Sequence, residues 1–205
     1  MMRLTIIVLL QLFSCSNIAT ESTLIAGKTS PVKNYTTQHT QALAFCKQQN
    51  FSQDYYFLVD LSMHSGRNRF YVYDFKSGKI TNQNLVTHGS CDAFDDNTTK
   101  WEKAKCSNTL DSHCSSAGKY KVGRRDYSSW GIKVKYWLEG LEESNSNARD
   151  RVVVLHSWES VHDTEVYPQY SPLSWGCPAV SDNFMRTLDV KLQATPKPVL
   201  LWIID

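Results

Sequence analysis

The chain has 205 residues, 41% of them hydrophobic, and 22 Lys and Arg against 20 Asp and Glu, a formal net charge of +2. This length fits one domain plus a short leader and suffices to bury a core without obligatory disulfides. So balanced a charge, with no basic run and no interleaving of basic and aromatic residues, gives no basis for a nucleic-acid partner.

Met1-Met2-Arg3 followed by the apolar residues 4–13 reads as a charged region and then a run of signal-peptide length, and residues 1–20 are expected to be a signal peptide. The run is too short to cross a bilayer as a helix. Two processing routes stand open. Cleavage after Ser16, with small residues at Ser14 and Ser16, releases a soluble protein. Alternatively Leu12-Phe13-Ser14-Cys15 resembles a lipobox, which makes Cys15 a lipidated residue anchored to a membrane. Either route implies export to the periplasm or cell envelope. Residues 21–36, polar and holding Gly27, Ser30 and Pro31, are expected to be a tether, and residues 37–205 one domain.

Residues 37–50 carry Ala42, Leu43, Phe45 and Cys46 among Gln and Lys, which predicts a packing helix. Residues 55–60 and 69–74 are rich in aromatic and β-branched types, and with residues 80–88 they read as a β-meander. Residues 91–116 form a long polar loop, a length usually functional or pinned by disulfides. Strands are predicted at 117–123 and 132–138, with 124–131 connecting them and 140–150 turn-rich. Val152-Val153-Val154-Leu155-His156 is a buried strand ending in a histidine, and residues 162–172 are a loop. Ser181 is a suitable N-cap for a helix over 182–193, with Phe184, Leu188 and Leu192 along one face. Pro196 and Pro198 end it, and residues 199–204 form a final buried strand. The sum is a mainly β domain with two accessory helices.

With Cys15 set aside, Cys46, Cys91, Cys106, Cys114 and Cys177 remain, an odd number, so at least one thiol in an exported chain is unpaired. One reading pairs Cys177 and leaves Cys46 free. The crowding of Cys91, Cys106 and Cys114 in one loop favours the other, with Cys177 free. Three pairings of Cys46, Cys91, Cys106 and Cys114 are then open.

Cys177 sits in Ser174-Trp175-Gly176-Cys177-Pro178. Gly176 permits positive φ and close approach, and Pro178 fixes the backbone just beyond the sulfur. A thiol on a rigid turn and His156 at a strand end are the two parts of a Cys-His nucleophile pair. His88 and His113 are further candidates, each equally readable as a turn or loop histidine. No short ligand spacing supports a zinc site, and no metal or other cofactor is expected.

Several segments together resemble the L,D-transpeptidase catalytic domain (the YkuD-like fold), in its murein L,D-transpeptidase catalytic domain-like branch. They are Leu85-Val86-Thr87-His88-Gly89, Cys106-Ser107-Asn108, Ser115-Ser116-Ala117-Gly118-Lys119-Tyr120, Asn147-Ala148-Arg149-Asp150-Arg151, Val154-Leu155-His156 and Ser174-Trp175-Gly176-Cys177-Pro178-Ala179. The resemblance implies a mixed β-sandwich with one or two accessory helices. It implies attack on the bond between the third residue and the terminal D-Ala of a peptidoglycan stem tetrapeptide. The thioester then passes to another stem's amine, giving a 3→3 cross-link, or to water, making the enzyme an L,D-carboxypeptidase. A weakly catalytic peptidoglycan-binding envelope protein is the remaining alternative.

By the same resemblance Cys177 is the nucleophile, His156 the base and Ser157 the residue whose backbone or side chain steadies the imidazole. The N–H groups of Trp175, Gly176 and Cys177 are the expected oxyanion hole. Trp175 stands where most members have a second histidine, and Pro178-Ala179 replaces a pair that usually includes Arg or Asn, so the substrate's orienting group is open. Ser174, His88, Arg149 and Arg151 are candidate substrate-binding residues, the two arginines being also readable as a local ion-pair network around Asp150. Tyr167, Tyr170 and Trp175 either line an acceptor groove or are exposed loop aromatics.

Overall fold

A computed structural model of the chain describes residues 33–94 and 98–205, and Asn34–Asp205 form one unit. The signal-peptide and Cys15 lipidation readings lie outside the described residues, as does nearly all of the tether. The elements in order are α1 (Thr36–Gln48), β1 (Tyr55–Asp60), β2 (Phe70–Asp74), β3 (Lys79–Asn84), β4 (Gly118–Tyr127), β5 (Val134–Gly140), β6 (Val154–Ser157), β7 (Ala179–Val180), α2 (Asp182–Gln193) and β8 (Val199–Ile204). A 3-10 helix spans Glu143–Ala148 between β5 and β6.

The eight strands join one mixed sheet in the order β3-β2-β1-β8-β4-β5-β6-β7. Only β1 with β8 and β6 with β7 are parallel. Side chains alternate between the faces of a strand, and both faces of the central strands are apolar here. From β1 and β8, Phe57, Val59, Leu201 and Ile203 enter the main core, whereas Tyr56, Leu58 and Leu200 enter a second cluster. α2 covers the first through Phe184, Met185 and Leu188, and α1 joins the second through Ala42 and Cys46. Ser181 caps α2 as expected, its Oγ accepting from the Phe184 N–H at 3.3 Å.

Several details differ from the sequence reading: β6 begins only at Val154, with Val152 exposed in a turn before it, and β7 was not expected. β4 runs on to Tyr127, where a connection was expected, because its pairing with β5 resumes after an irregularity between Val122 and Arg125. Its polar residues are held from outside the strand: Arg125 donates to Asp189, and Asp126 accepts from Trp137 Nε1. β3 ends at Asn84, and the next residues leave it to bond with the segment carrying Cys177. Finally, one disulfide joins Cys91 to Cys114, while Cys46, Cys106 and Cys177 are free. Cys46 lies in the second core cluster and Cys106 packs against the first, so burial rather than bridging accounts for both.

Candidate active site

β6 sets the base. Leu155 points into the main core, so its neighbours Val154 and His156 project from the other face. His156 is 8% exposed and stands opposite Lys135 of β5. Its Nδ1 lies 2.9 Å from the Ser157 carbonyl oxygen, which only accepts. Nδ1 therefore carries the proton and Nε2 the lone pair. Ser157 steadies the ring through its backbone, as one of the sequence readings has it, while its own Oγ accepts from the Ile132 N–H at 3.0 Å. Burial lowers the His156 pKa below 6.5, and nearby Lys135 lowers it further, while the bond to Ser157 offsets part of this. At neutral pH the ring is an uncharged base.

The β6–β7 ladder places Cys177, the expected nucleophile. His156 pairs with Ala179, two residues beyond Cys177. This register brings Cys177 Sγ against the start of β6, 3.4 Å from the Val154 N and 3.6 Å from the Val152 O. Burial raises the thiol pKa above 9, and the Val154 N–H and the charges of Arg151 and Lys135 pull it back down. The resting pair is thus a neutral thiol and a neutral imidazole.

Residues 174–177 form a tight turn at positive φ (+104°) on Gly176. A Cβ there would stand 2.5 Å from the Cys114 O and 3.2 Å from Arg151 Nη2, so the position takes only glycine. Ser174 Oγ accepts from the Gly176 N–H at 3.2 Å and donates to the Cys177 O at 2.7 Å. Thr87 Oγ1 donates to the same carbonyl at 2.9 Å and accepts from the Ala179 N–H. Further backbone bonds, Thr87 N to Ala179 O, Ser174 N to His88 O and Ser90 N to Ser174 O, tie the turn to residues 87–90.

The oxyanion-hole expectation is corrected in one member: the Gly176 N–H is engaged by Ser174. Among the described residues, the N–H groups of Trp175 and Cys177 have no protein acceptor. His88 is not a substrate ligand. It is fully buried, donating from Nε2 to the Lys100 O at 2.6 Å and accepting at Nδ1 from Arg69, and burial beside that cation pushes its pKa down to about 3. Arg151 is also spent on structure, donating to the carbonyls of Ser107 and Cys114 and to Ser116 Oγ. Arg149 lies 4.1 Å over the Trp137 ring. Neither arginine makes the ion-pair network read around Asp150, since carbonyls and a ring face supplied better-placed partners.

Cys177 and His156 share a cleft of about 380 Å³ with Trp130, Trp158, Leu173, Ser174 and Trp175. Ser174 thus borders the cleft while its hydroxyl closes the turn. Of the loop aromatics, Trp175 reaches the cleft and is 72% exposed. Tyr167 and Tyr170 instead pack on His64. Trp130 and Trp158, which meet edge to face at 5.7 Å, are cleft residues that sequence reasoning missed. Thr87, whose bonds to Cys177 and Ala179 brace the turn, was missed as well. Only pairing two distant segments reveals them. No group of three His, Cys, Asp or Glu suited to a metal ion occurs among the described residues.

The profile of the L,D-transpeptidase catalytic domain matches residues 29–198. No curated protein matches. Among solved structures, the chain is similar to the L,D-transpeptidase (residues 123-326) of Xylanimonas cellulosilytica, with 10% identity, TM-score 0.43, 78% of this chain and 68% of that one. It is similar to Bdellovibrio bacteriovorus Bd1075, with 14% identity, TM-score 0.45, 77% of this chain and 49% of that one. It is likewise similar to the helical cell shape determining protein Pgp2 of Campylobacter jejuni, with 14% identity, TM-score 0.43, 82% of this chain and 55% of that one. The chain spans about half the length of the latter two.

Proposed function

The chain belongs to the L,D-transpeptidase catalytic domain family, and on that premise we propose that it forms a Cys177 thioester with the third residue of a peptidoglycan stem tetrapeptide, releasing D-Ala, and transfers the acyl group to an amine of a second stem. The observation that carries this reading is the His156–Ser157 bond, which leaves a lone pair on Nε2 of a ring sharing one cleft with the thiol. Nε2 takes the thiol proton as Sγ adds to the carbonyl carbon. The N–H groups of Trp175 and Cys177 receive the oxyanion. The imidazolium then protonates the departing D-Ala nitrogen, and the C–N bond breaks to leave the thioester. An amine of the second stem adds to it, loses its proton to Nε2, and the collapsing adduct returns the thiol. The product is a 3→3 amide.

Water in place of the amine makes the same site an L,D-carboxypeptidase. The walls of Trp130, Trp158, Leu173 and Trp175 favour transfer, since an apolar cleft filled by an acceptor stem excludes water. A second reading, in which the cleft grips stems without turnover, draws on the resting position of Sγ between two backbone groups of residues 152–154. The substrate fits export to the periplasm or cell envelope, with the protein released or held by lipid on Cys15. The Cys91–Cys114 disulfide agrees with an oxidising compartment.

The test is incubation of the protein with disaccharide-tetrapeptide fragments and mass analysis of the products, with Cys177→Ala as control. A dimer formed with loss of D-Ala, absent from the control, is expected. A monomer lacking D-Ala identifies the carboxypeptidase. Unchanged fragments, with the protein folded and its thiol free, overturn both in favour of binding.

A further inference from the structure

One residue outside the nucleophile pair stacks on Trp175, and a second holds that residue. His113 stacks on its indole at 4.6 Å between centroids and 10° between planes. The other edge of the imidazole, Nδ1, is 2.7 Å from Asp92 Oδ1. Asp92 directly follows Cys91 and His113 directly precedes Cys114, so the disulfide fixes the two backbones that carry this pair. A backbone bond from Cys91 N to His113 O, 3.1 Å, reinforces it. Both Cys91 (φ 52°) and His113 (φ 53°) hold a left-handed conformation that non-glycine residues rarely adopt. Such strain persists only where surrounding structure fixes it, and it concentrates around functional sites. The bond from His113 also keeps the Asp92 carboxyl below its usual range, and so ionised.

Trp175 itself has little else to hold it. It is the most exposed of the large hydrophobic side chains described, yet it walls the cleft two residues from the nucleophile. An indole so exposed samples several rotamers unless a neighbour immobilises it, and ordering it on substrate arrival costs binding energy. We propose that Asp92 and His113 are positioning residues that hold the Trp175 indole in place as one wall of the substrate cleft, and so set substrate affinity rather than thiol reactivity. This rests on the proposed function for the identity of the substrate, but the geometry of the pair does not depend on it.

Two measurements on the full chain test the pair. The first is a double-mutant cycle on KM for the disaccharide-tetrapeptide. His113→Ala should raise KM about three- to ten-fold, in keeping with the loss of a ring pair, and leave kcat within about two-fold. His113→Phe, which keeps a ring on the indole but loses the bond to Asp92, should restore part of it. Trp175→Ala should raise KM as well, and adding His113→Ala to it should change nothing further, because the two act as one unit. Alkylation of Cys177 by iodoacetamide should stay at the wild-type rate in His113→Ala. Additive KM effects, an unchanged KM in His113→Ala, or slowed alkylation overturns the proposal.

The second needs no substrate: the fluorine resonance of 5-fluorotryptophan at Trp175, assigned by its absence in Trp175→Phe. It should shift towards the free-indole position in His113→Ala and lie between that position and the wild type's in His113→Phe. If the wild type turns over no fragment, the proposed function falls while this resonance still reports on the stack, and a resonance indifferent to His113→Ala overturns the positioning role.

Discussion

The imidazole of His156 gives its Nδ1 proton to the carbonyl of Ser157, the next residue in the chain, at 2.9 Å. An acceptor supplied by the backbone cannot be removed by substituting a side chain, so the useful tautomer is secured by the path of β6 itself. Ser157→Ala should therefore preserve the tautomer. Its loss is the bond from the Ile132 N–H to Oγ, a cost of order 1 kcal/mol in stability, with turnover changed by no more than a few-fold. Turnover slowed by about 10²-fold at unchanged stability would show that the hydroxyl itself takes part.

The resting charges make the pH dependence specific. The thiol is held above 9 and the imidazole below 6.5. If Nε2 accepts the thiol proton during attack, alkylation of Cys177 should gain its rising limb below pH 6.5, as His156 loses its proton. In His156→Ala the rate should instead follow the thiol alone, with a midpoint above 9 and a rate at neutral pH lower by about 10²-fold. Identical profiles for the two proteins would remove His156 from the role of base.

Arg151 is a fixed positive charge near the thiol, and it lowers the thiol pKa while donating to the Cys114 carbonyl. Arg151→Met should raise the thiol pKa, read as thiolate absorbance against pH, and slow alkylation at a given pH. The same variant should show a loosened disulfide loop by hydrogen exchange.

Stability should fall on acidification. Burial holds His88 down to about 3 and His39 to about 4, against 6.5 for the free side chain. Unfolding lets each bind a proton that the native form refuses, so stability is complete above 6.5 and declines as pH drops from there towards 3. Urea midpoints from neutral pH down to about pH 4 should show this slope, and His88→Gln should flatten it even if it costs stability throughout.

The Cys91–Cys114 link closes a loop over a sequence separation of 23, for which chain entropy gives about 3 kcal/mol. Cys91→Ser/Cys114→Ser should lose about that much by urea unfolding. An unchanged midpoint would mean that the loop is already ordered without the bond.

The elements were legible where unbroken aromatic and β-branched runs mark strands buried on both faces, as at Tyr55–Asp60 and Val199–Ile204, and where a period of 3.6 marks one helix face, as in the Ser181-capped helix. β4 past Val122 was not, because Arg124, Arg125 and Asp126 give no apolar period, and what holds them is remote: Asp189 is 64 residues from Arg125. Within the site, Cys177, His156 and Ser157 announce themselves through local motifs. His88 misled because a buried histidine and a ligand histidine look alike in sequence, and only Arg69, folded over it, separates them. Thr87, Trp130, Trp158 and the Asp92–His113 pair depend on contacts between distant segments, and no local pattern encodes those.

The short parallel pairing of β6 with β7, His156 opposite Ala179, lies at one end of the sheet. The register of Cys177 against His156 thus rests on two ladder positions at the sheet margin, anchored to the main core through Leu155 and Val180. Sheet margins open before sheet centres, so reactivity of Cys177 that depends on His156 should fall on warming while the bulk far-ultraviolet signal is still native.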